Sequence, residues 1–167
     1  LCYALGIPMI AVPTLQSMAS TLLQSKDWKM AYEELLIDGK SLDTNIPILF
    51  CPMIDARRME VYNALYDIKL EQIRETKADI IDNSSFDGYA GEQQIVFFGD
   101  GAAKCKEIIG NKSFAFFFDA FQVSSSGMAE IAFKAYLNKE FVNTAYFEPY
   151  YLKNYVAAPP KVKGLYD

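Results

Sequence analysis

The stretch Asp55-Ala56-Arg57-Arg58-Met59-Glu60 places two carboxylates and two guanidinium groups within six residues. Adjacent arginines can hold an anion or a partner's carboxylate in bidentate fashion. The same groups can instead pair with Asp55 or Glu60 inside the chain, and the sequence leaves both readings open. Gly99-Asp100-Gly101 can be read as a nucleotide-contacting loop or as a tight turn in which Asp100 caps a helix. Two glycines at a helix start are weakly diagnostic, so the turn is the expectation. Asp55 and Asp100 would suit acid/base or magnesium chemistry as a pair, but nothing in the sequence brings them together. Ser124–Ser126 has no histidine or nearby lysine to act as a base, and helix capping accounts for it.

Histidine is absent from the whole chain, which removes His–Ser and His–Cys catalysis and every histidine-containing metal site. Cys2, Cys51 and Cys105 are far apart and form no CxxC, so zinc is not expected, and a reduced, cytosolic compartment fits better than secretion. With 167 residues, 51% of them hydrophobic, there is material for one full core and part of a second. No apolar run approaches the ~20 residues of a membrane helix. Lys and Arg total 16 against 21 Asp and Glu, a net charge of −5, which disfavours a direct grip on nucleic acid through phosphates. Tyr146, Phe147, Tyr150, Tyr151 and Tyr155 are therefore expected to pack on the sheet or on a partner rather than to stack bases.

These residues need elements to position them. Residues 1–5 followed by Gly6 read as a last helical turn with its glycine cap. The chain opens without Met or a signal-peptide pattern, and a helix that begins at its own end suggests a fragment. Residues 8–12 read as a short strand. Leu15, Met18, Ala19, Leu22 and Leu23 recur at helical spacing, as do Trp28, Ala31, Tyr32, Leu35 and Leu36, closed by Asp38-Gly39. Residues 39–45 look like a linker. Strands are expected at 46–54, 60–67 and 69–76, the second alternating Val61/Asn63/Leu65 against Tyr62/Ala64/Tyr66. A polar stretch with a short helix at 83–90 leads to a strand at 94–98. A helix capped by Asp100 and ended by Gly110, a strand at 114–118, and a long helix after Ser124–Ser126 complete the pattern. That last helix should turn Met128, Ile131, Ala132, Ala135 and Tyr136 inward and pair Glu130 with Lys134.

Residues 46–141 thus run β-β-β-(α)-β-α-β-α. A meander followed by βα units makes a mixed sheet with helices on its faces. The expected class is α/β, a ribonuclease H-like lobe of the kind used twice in the actin/sugar-kinase/Hsp70 superfamily. Residues 1–43 would be the remnant of a first lobe and a connecting helix, 44–156 the second lobe, and 157–167 a flexible tail. A complete first lobe would need roughly 60–70 further residues. Its loss should uncover apolar area around residues 9–12 and along the Leu15/Met18/Leu22 stripe. That superfamily binds ATP phosphates on glycine-rich hairpins, where bare backbone N–H groups approach the oxygens. The corresponding hairpin here, 55–60, has no glycine.

The segment Pro52-Met53-Ile54-Asp55-Ala56-Arg57-Arg58-Met59-Glu60-Val61-Tyr62 resembles the strand–turn–strand signature of the bacterial TsaB (YeaZ) family. Phe97-Phe98-Gly99-Asp100-Gly101-Ala102 resembles the family's strand-to-helix turn, and Tyr146-Phe147-Glu148-Pro149-Tyr150-Tyr151-Leu152-Lys153 its C-terminal signature. The resemblance covers nearly all of the chain except 28–45, which reads as a local expansion. It implies a non-catalytic, cytoplasmic subunit that binds and activates the paralogue TsaD, with the ATPase TsaE, in threonylcarbamoylation of a tRNA adenosine beside the anticodon. tRNA would be met only through the complex, a homodimer is compatible, and no metal, nucleotide or other cofactor is expected on this chain. Asp55, Arg57, Arg58, Glu60, Tyr62, Gly99, Asp100 and Gly101 would be cleft or partner contacts, with Asp55 and Arg57 at or near an inter-lobe cleft, and none catalytic. The resemblance puts the TsaD contact mainly on first-lobe helices. It also leaves one alternative of another class: a metalloprotease, as the older glycoprotease label has it, or an ATP-dependent transferase.

Overall fold

A computed structural model describes residues 1–153. The flexible tail expected from 157, and Tyr155, lie outside the described residues. One five-stranded mixed sheet organises the molecule. Its strands are β3 (Ile48–Asp55), β4 (Glu60–Tyr66), β5 (Gln72–Ile80), β6 (Gln94–Phe98) and β7 (Ala115–Phe117). The spatial order is β5-β4-β3-β6-β7. β3 pairs antiparallel with β4 and parallel with β6; β4–β5 is antiparallel and β6–β7 parallel. This is the ribonuclease H-like order, with the first three strands antiparallel as the sequence predicts.

The sheet separates two cores. On one face Leu49, Cys51, Met53, Val61, Leu65, Ile95 and Phe97 pack against α4 (Ala102–Ile109) through Cys105 and Ile109. On the other, Phe50, Ala64, Tyr66, Val96, Phe98 and Phe116 receive Leu15, Met18, Ala19 and Leu22 of α2 (Thr14–Gln24). Side chains alternate across a strand, so β4 divides as its sequence alternation requires. β3 and β6 are covered on both faces and therefore read as continuous apolar runs. Trp28, on α3 (Lys26–Glu33), stands edge-on to Phe50 at 5.2 Å and Phe118 at 6.0 Å between ring centroids. Ser25 caps that helix, its hydroxyl accepting from the Trp28 amide at 3.1 Å.

Several expectations are corrected. The Leu15/Met18/Leu22 stripe is not uncovered: all three are buried on the sheet. Residues 8–12 make no strand, only an isolated bridge from Met9 to Val142. The helix over 28–36 stops at Glu33, because Leu36–Ile37 (β1) turns back on Lys40–Ser41 (β2) around Asp38-Gly39. Those turn residues have φ of 51° and 73°, the geometry of a two-residue hairpin. The supposed linker is therefore partly strand. Lys40 docks it, donating to the carbonyls of Gly110 (2.5 Å), Lys112 (3.0 Å) and Ala115 (2.9 Å). The third strand of the meander starts three residues later than predicted and runs on to Ile80. Residues 83–90 hold only a single 3-10 turn at Asp87–Tyr89.

At the termini of the described chain, α1 (Cys2–Leu5) is closed by Gly6 at φ 64°, as read from sequence. α5 (Ser126–Leu137) packs on α2 and buries Gly127 and Ala135, while Met128 and Tyr136 face outward against expectation. A Cβ on Gly127 would collide with Ser17 and Thr21 of α2, so helix proximity selects the glycine. Glu130 is not bonded to Lys134; it accepts from Gln24 of α2 at 3.1 Å. No helix among the described residues is long and apolar enough to cross a membrane.

Candidate functional site

The central strand β3 and its parallel neighbour β6 end side by side, with Pro52 opposite Phe98. The carboxyl ends of adjacent parallel strands are where open α/β sheets present their ligand-facing loops. Two segments singled out from sequence meet there: the 55–60 hairpin that joins β3 to β4, and the 99–101 turn that opens α4.

Asp100 does not cap α4; Gly101 occupies the capping position without a side-chain bond. The Asp100 carboxylate instead accepts from the Asp55 amide at 3.2 Å. The structure thus brings together Asp55 and Asp100, which lie 45 residues apart along the chain. The two glycines serve contact of backbone with backbone. Gly99 has φ 102°, and a Cβ there would overlap the Met53 carbonyl. At Gly101 a Cβ would sit 3.0 Å from the Ile54 carbonyl carbon and from Val61 Cγ1. The Gly101 amide donates to Met53 O at 3.1 Å and the Ala102 amide to Gly99 O at 3.1 Å, so these N–H groups are directed into the fold.

In the hairpin the carboxylates do not pair with the arginine side chains. Asp55 forms an ion pair with Lys104 of α4, and the same ammonium donates to the Glu60 carbonyl at 2.7 Å. One lysine therefore ties both strands of the hairpin at its base. Glu60 pairs with Lys153, whose ammonium also lies 5.8 Å from the Tyr62 ring centroid. The Lys104 ammonium, and next the Arg57 amide bonded to Asp55 Oδ1 at 2.8 Å, hold the Asp55 carboxyl below the usual carboxylate range. The C-terminal signature thus joins the same end of the sheet, so all three resembling segments converge there. Neither Lys104 nor the ion-pairing role of Lys153 is legible in the sequence. Their one-dimensional signal is slight, since each lies more than forty residues from its carboxylate partner.

Arg57 and Arg58 are left at the exposed tip. Both have left-handed backbone, φ 71° and 49°, which costs a side-chain-bearing residue about 1–3 kcal/mol. The turn closes without glycine because Ala56 N donates to Glu60 O (3.0 Å) and Glu60 N to Arg57 O (3.1 Å). Among the described residues, neither guanidinium has a hydrogen-bond or ion-pair partner.

A neighbouring cavity of about 870 Å³ lies between residues 11–15 at the start of α2, Ile54 and Tyr62, the β5 edge, and residues 147–153. Tyr62 lines it together with Phe147, Tyr150 and Tyr151 of the C-terminal aromatic cluster; Asp55 and Arg57 do not. Burial pushes Cys105 up to about 11 and Cys51 further in the same direction. Among the described residues, no three His, Cys, Asp or Glu side chains gather as a metal site.

No protein-family model matches the sequence, and no curated protein does. Solved structures do match. One is a crystal structure of an uncharacterized protein with similarity to peptidase YEAZ from Pseudomonas aeruginosa, 20% identical, with a TM-score of 0.53 over 91% of this chain and 62% of that one. Another is YeaZ from Pseudomonas aeruginosa, also 20% identical, with a TM-score of 0.56 over 90% of this chain and 62% of that one. The chain spans less than two thirds of the length of either. Along nine-tenths of its length, this chain has the fold of YeaZ.

Proposed function

We propose that this protein is a TsaB-type subunit: a cytoplasmic, non-catalytic partner that binds a TsaD-type paralogue and activates it in threonylcarbamoylation of tRNA. A TsaE-type ATPase and the tRNA are engaged through the complex. The YeaZ fold supports the reading, as do the three signature segments gathered at one end of the sheet. The observation that carries it is the state of that end. Asp55 and Glu60 are taken by Lys104 and Lys153, and the amides of Gly101 and Ala102 are bonded inside the fold. An acid/base pair must reach substrate and a phosphate cradle must offer free N–H groups. This end offers exposed side chains suited to docking instead.

The test is reconstitution. The intact protein, mixed with TsaD, TsaE, ATP, threonylcarbamoyl-adenylate and unmodified tRNA, should restore modification that TsaD and TsaE lack alone. Unchanged modification with and without the protein would refute the proposal. Peptide hydrolysis by the purified protein would favour the peptidase reading.

A further inference from the structure

We propose that Arg57 and Arg58 form a pre-built carboxylate-recognition tip that anchors an acidic side chain of the protein partner. This deepens the proposed function and rests on it for the partner's identity. Asp55 and Glu60 are paired with Lys104 and Lys153, so among the described residues both guanidinium groups are without a partner and open to one from outside. Their placement is costly and deliberate in form: consecutive residues in left-handed backbone, where glycine or asparagine would be at ease. Lys104 clamps the base of the hairpin at Asp55 and at the Glu60 carbonyl, so the tip is held before any partner arrives, and pre-organisation of this kind lowers the cost of binding.

The chemistry favours a carboxylate over a phosphate. Phosphate cradles recruit converging backbone amides, but the amides of Ala56, Arg57 and Glu60 are all bonded within the turn. The amides of Arg58 and Met59 are the backbone donors left at the tip, too few to converge as a cradle does, whereas each planar fork can match one carboxylate bidentately. The chain's net charge of −5 also disfavours a long polyanion such as RNA, which is held through many phosphates at once.

The test uses the intact protein and three forms: wild type, Arg57→Gly/Arg58→Gly, and Arg57→Lys/Arg58→Lys. Glycine removes the guanidinium groups while suiting the left-handed turn, so the fold is preserved or strengthened, which a melting curve verifies. Titration against TsaD should show affinity falling ~tenfold or more in the glycine form, with the lysine form between, since it keeps charge but not the fork. A second arm follows the arginine Nε–H resonances of the wild type with hexaglutamate and, separately, with inorganic phosphate and tRNA; hexaglutamate should shift both. If wild type binds TsaD and the glycine form binds equally well, the anchor is overturned. Shifts with phosphate or tRNA but not hexaglutamate also overturn it. If wild type fails to bind TsaD while hexaglutamate shifts both resonances, the partner assignment fails and carboxylate recognition stands.

Discussion

Asp55 shows how a residue's chemistry depends on what another element brings to it. Lys104 first, and then the Arg57 amide, lower its pKa in the folded state. A carboxyl so depressed contributes stability that is present above the ordinary carboxylate range and is lost as pH falls through the folded value. Acidification below about pH 4 should therefore weaken the fold, and Asp55→Asn should flatten that part of the profile. Asp82, lowered chiefly by Ser84, acts in the same sense and remains in the variant. Urea midpoints across pH for both proteins make the check; parallel profiles would contradict the clamp. Gly99 and Gly101 supply the second residue-scale prediction. Gly99→Ala meets both strain and overlap and should destabilise by about 2–4 kcal/mol. Gly101→Ala meets only tight contacts and should lose less, about 1–3 kcal/mol. The reverse ranking in chemical denaturation would argue against the packing role assigned to this turn.

At the scale of elements, the hairpin of β1 and β2 serves α4. Lys40 satisfies the carbonyls of Gly110 and Lys112 just past the end of that helix, where C=O groups lack intrahelical partners, and that of Ala115 at the start of β7. Lys40→Met keeps the aliphatic stem and removes the ammonium, leaving those acceptors without their donor; a loss of about 1–3 kcal/mol is expected in urea unfolding. A change within error would mean that water replaces the lysine at no cost. The hairpin was missed in the sequence because Leu35 and Leu36 continue the helical spacing of Trp28, Ala31 and Tyr32. Asp38-Gly39 is nonetheless a strong hairpin signal, and it prevailed because Leu35 turns left-handed directly after α3. The third strand slipped for a related reason: its alternating charges carry little apolar periodicity, and pairing with β4 sets its limits.

At the scale of the molecule, the apolar surface that remains open is only in part the predicted one, since residues 9–12 are not buried but the stripe of α2 is. Phe133 and Leu137 of α5 are each 63% exposed, and Leu1 before α1 and Tyr3 and Leu5 within it are more than half exposed. The Met9–Val142 bridge ties the two regions together. Exposed apolar area of this kind tends to be covered by association, so the 167-residue chain should self-associate with rising concentration in sedimentation velocity. Phe133→Glu with Leu137→Lys should shift it toward monomer, because both side chains point to solvent and leave the core untouched. A monomer at every concentration, or association indifferent to these changes, would refute this.

The sequence by itself determined the order of elements from residue 46 to 141, the alternation that splits β4 between two cores, and the apolar stripe of α2, because each follows from local periodicity in residues close along the chain. It also marked the 55–60 and 99–101 segments, since unusual residue types at turns are visible in one dimension. Only the tertiary structure decided what those groups do. The sequence left Asp55 and Glu60 free to take the adjacent arginines, but a left-handed turn aims Arg57 and Arg58 outward while α4 and the C-terminal signature deliver Lys104 and Lys153 to the acids. Which charge finds which is set by distances across the sheet, and strands that end side by side bring together residues that spacing along the chain keeps apart.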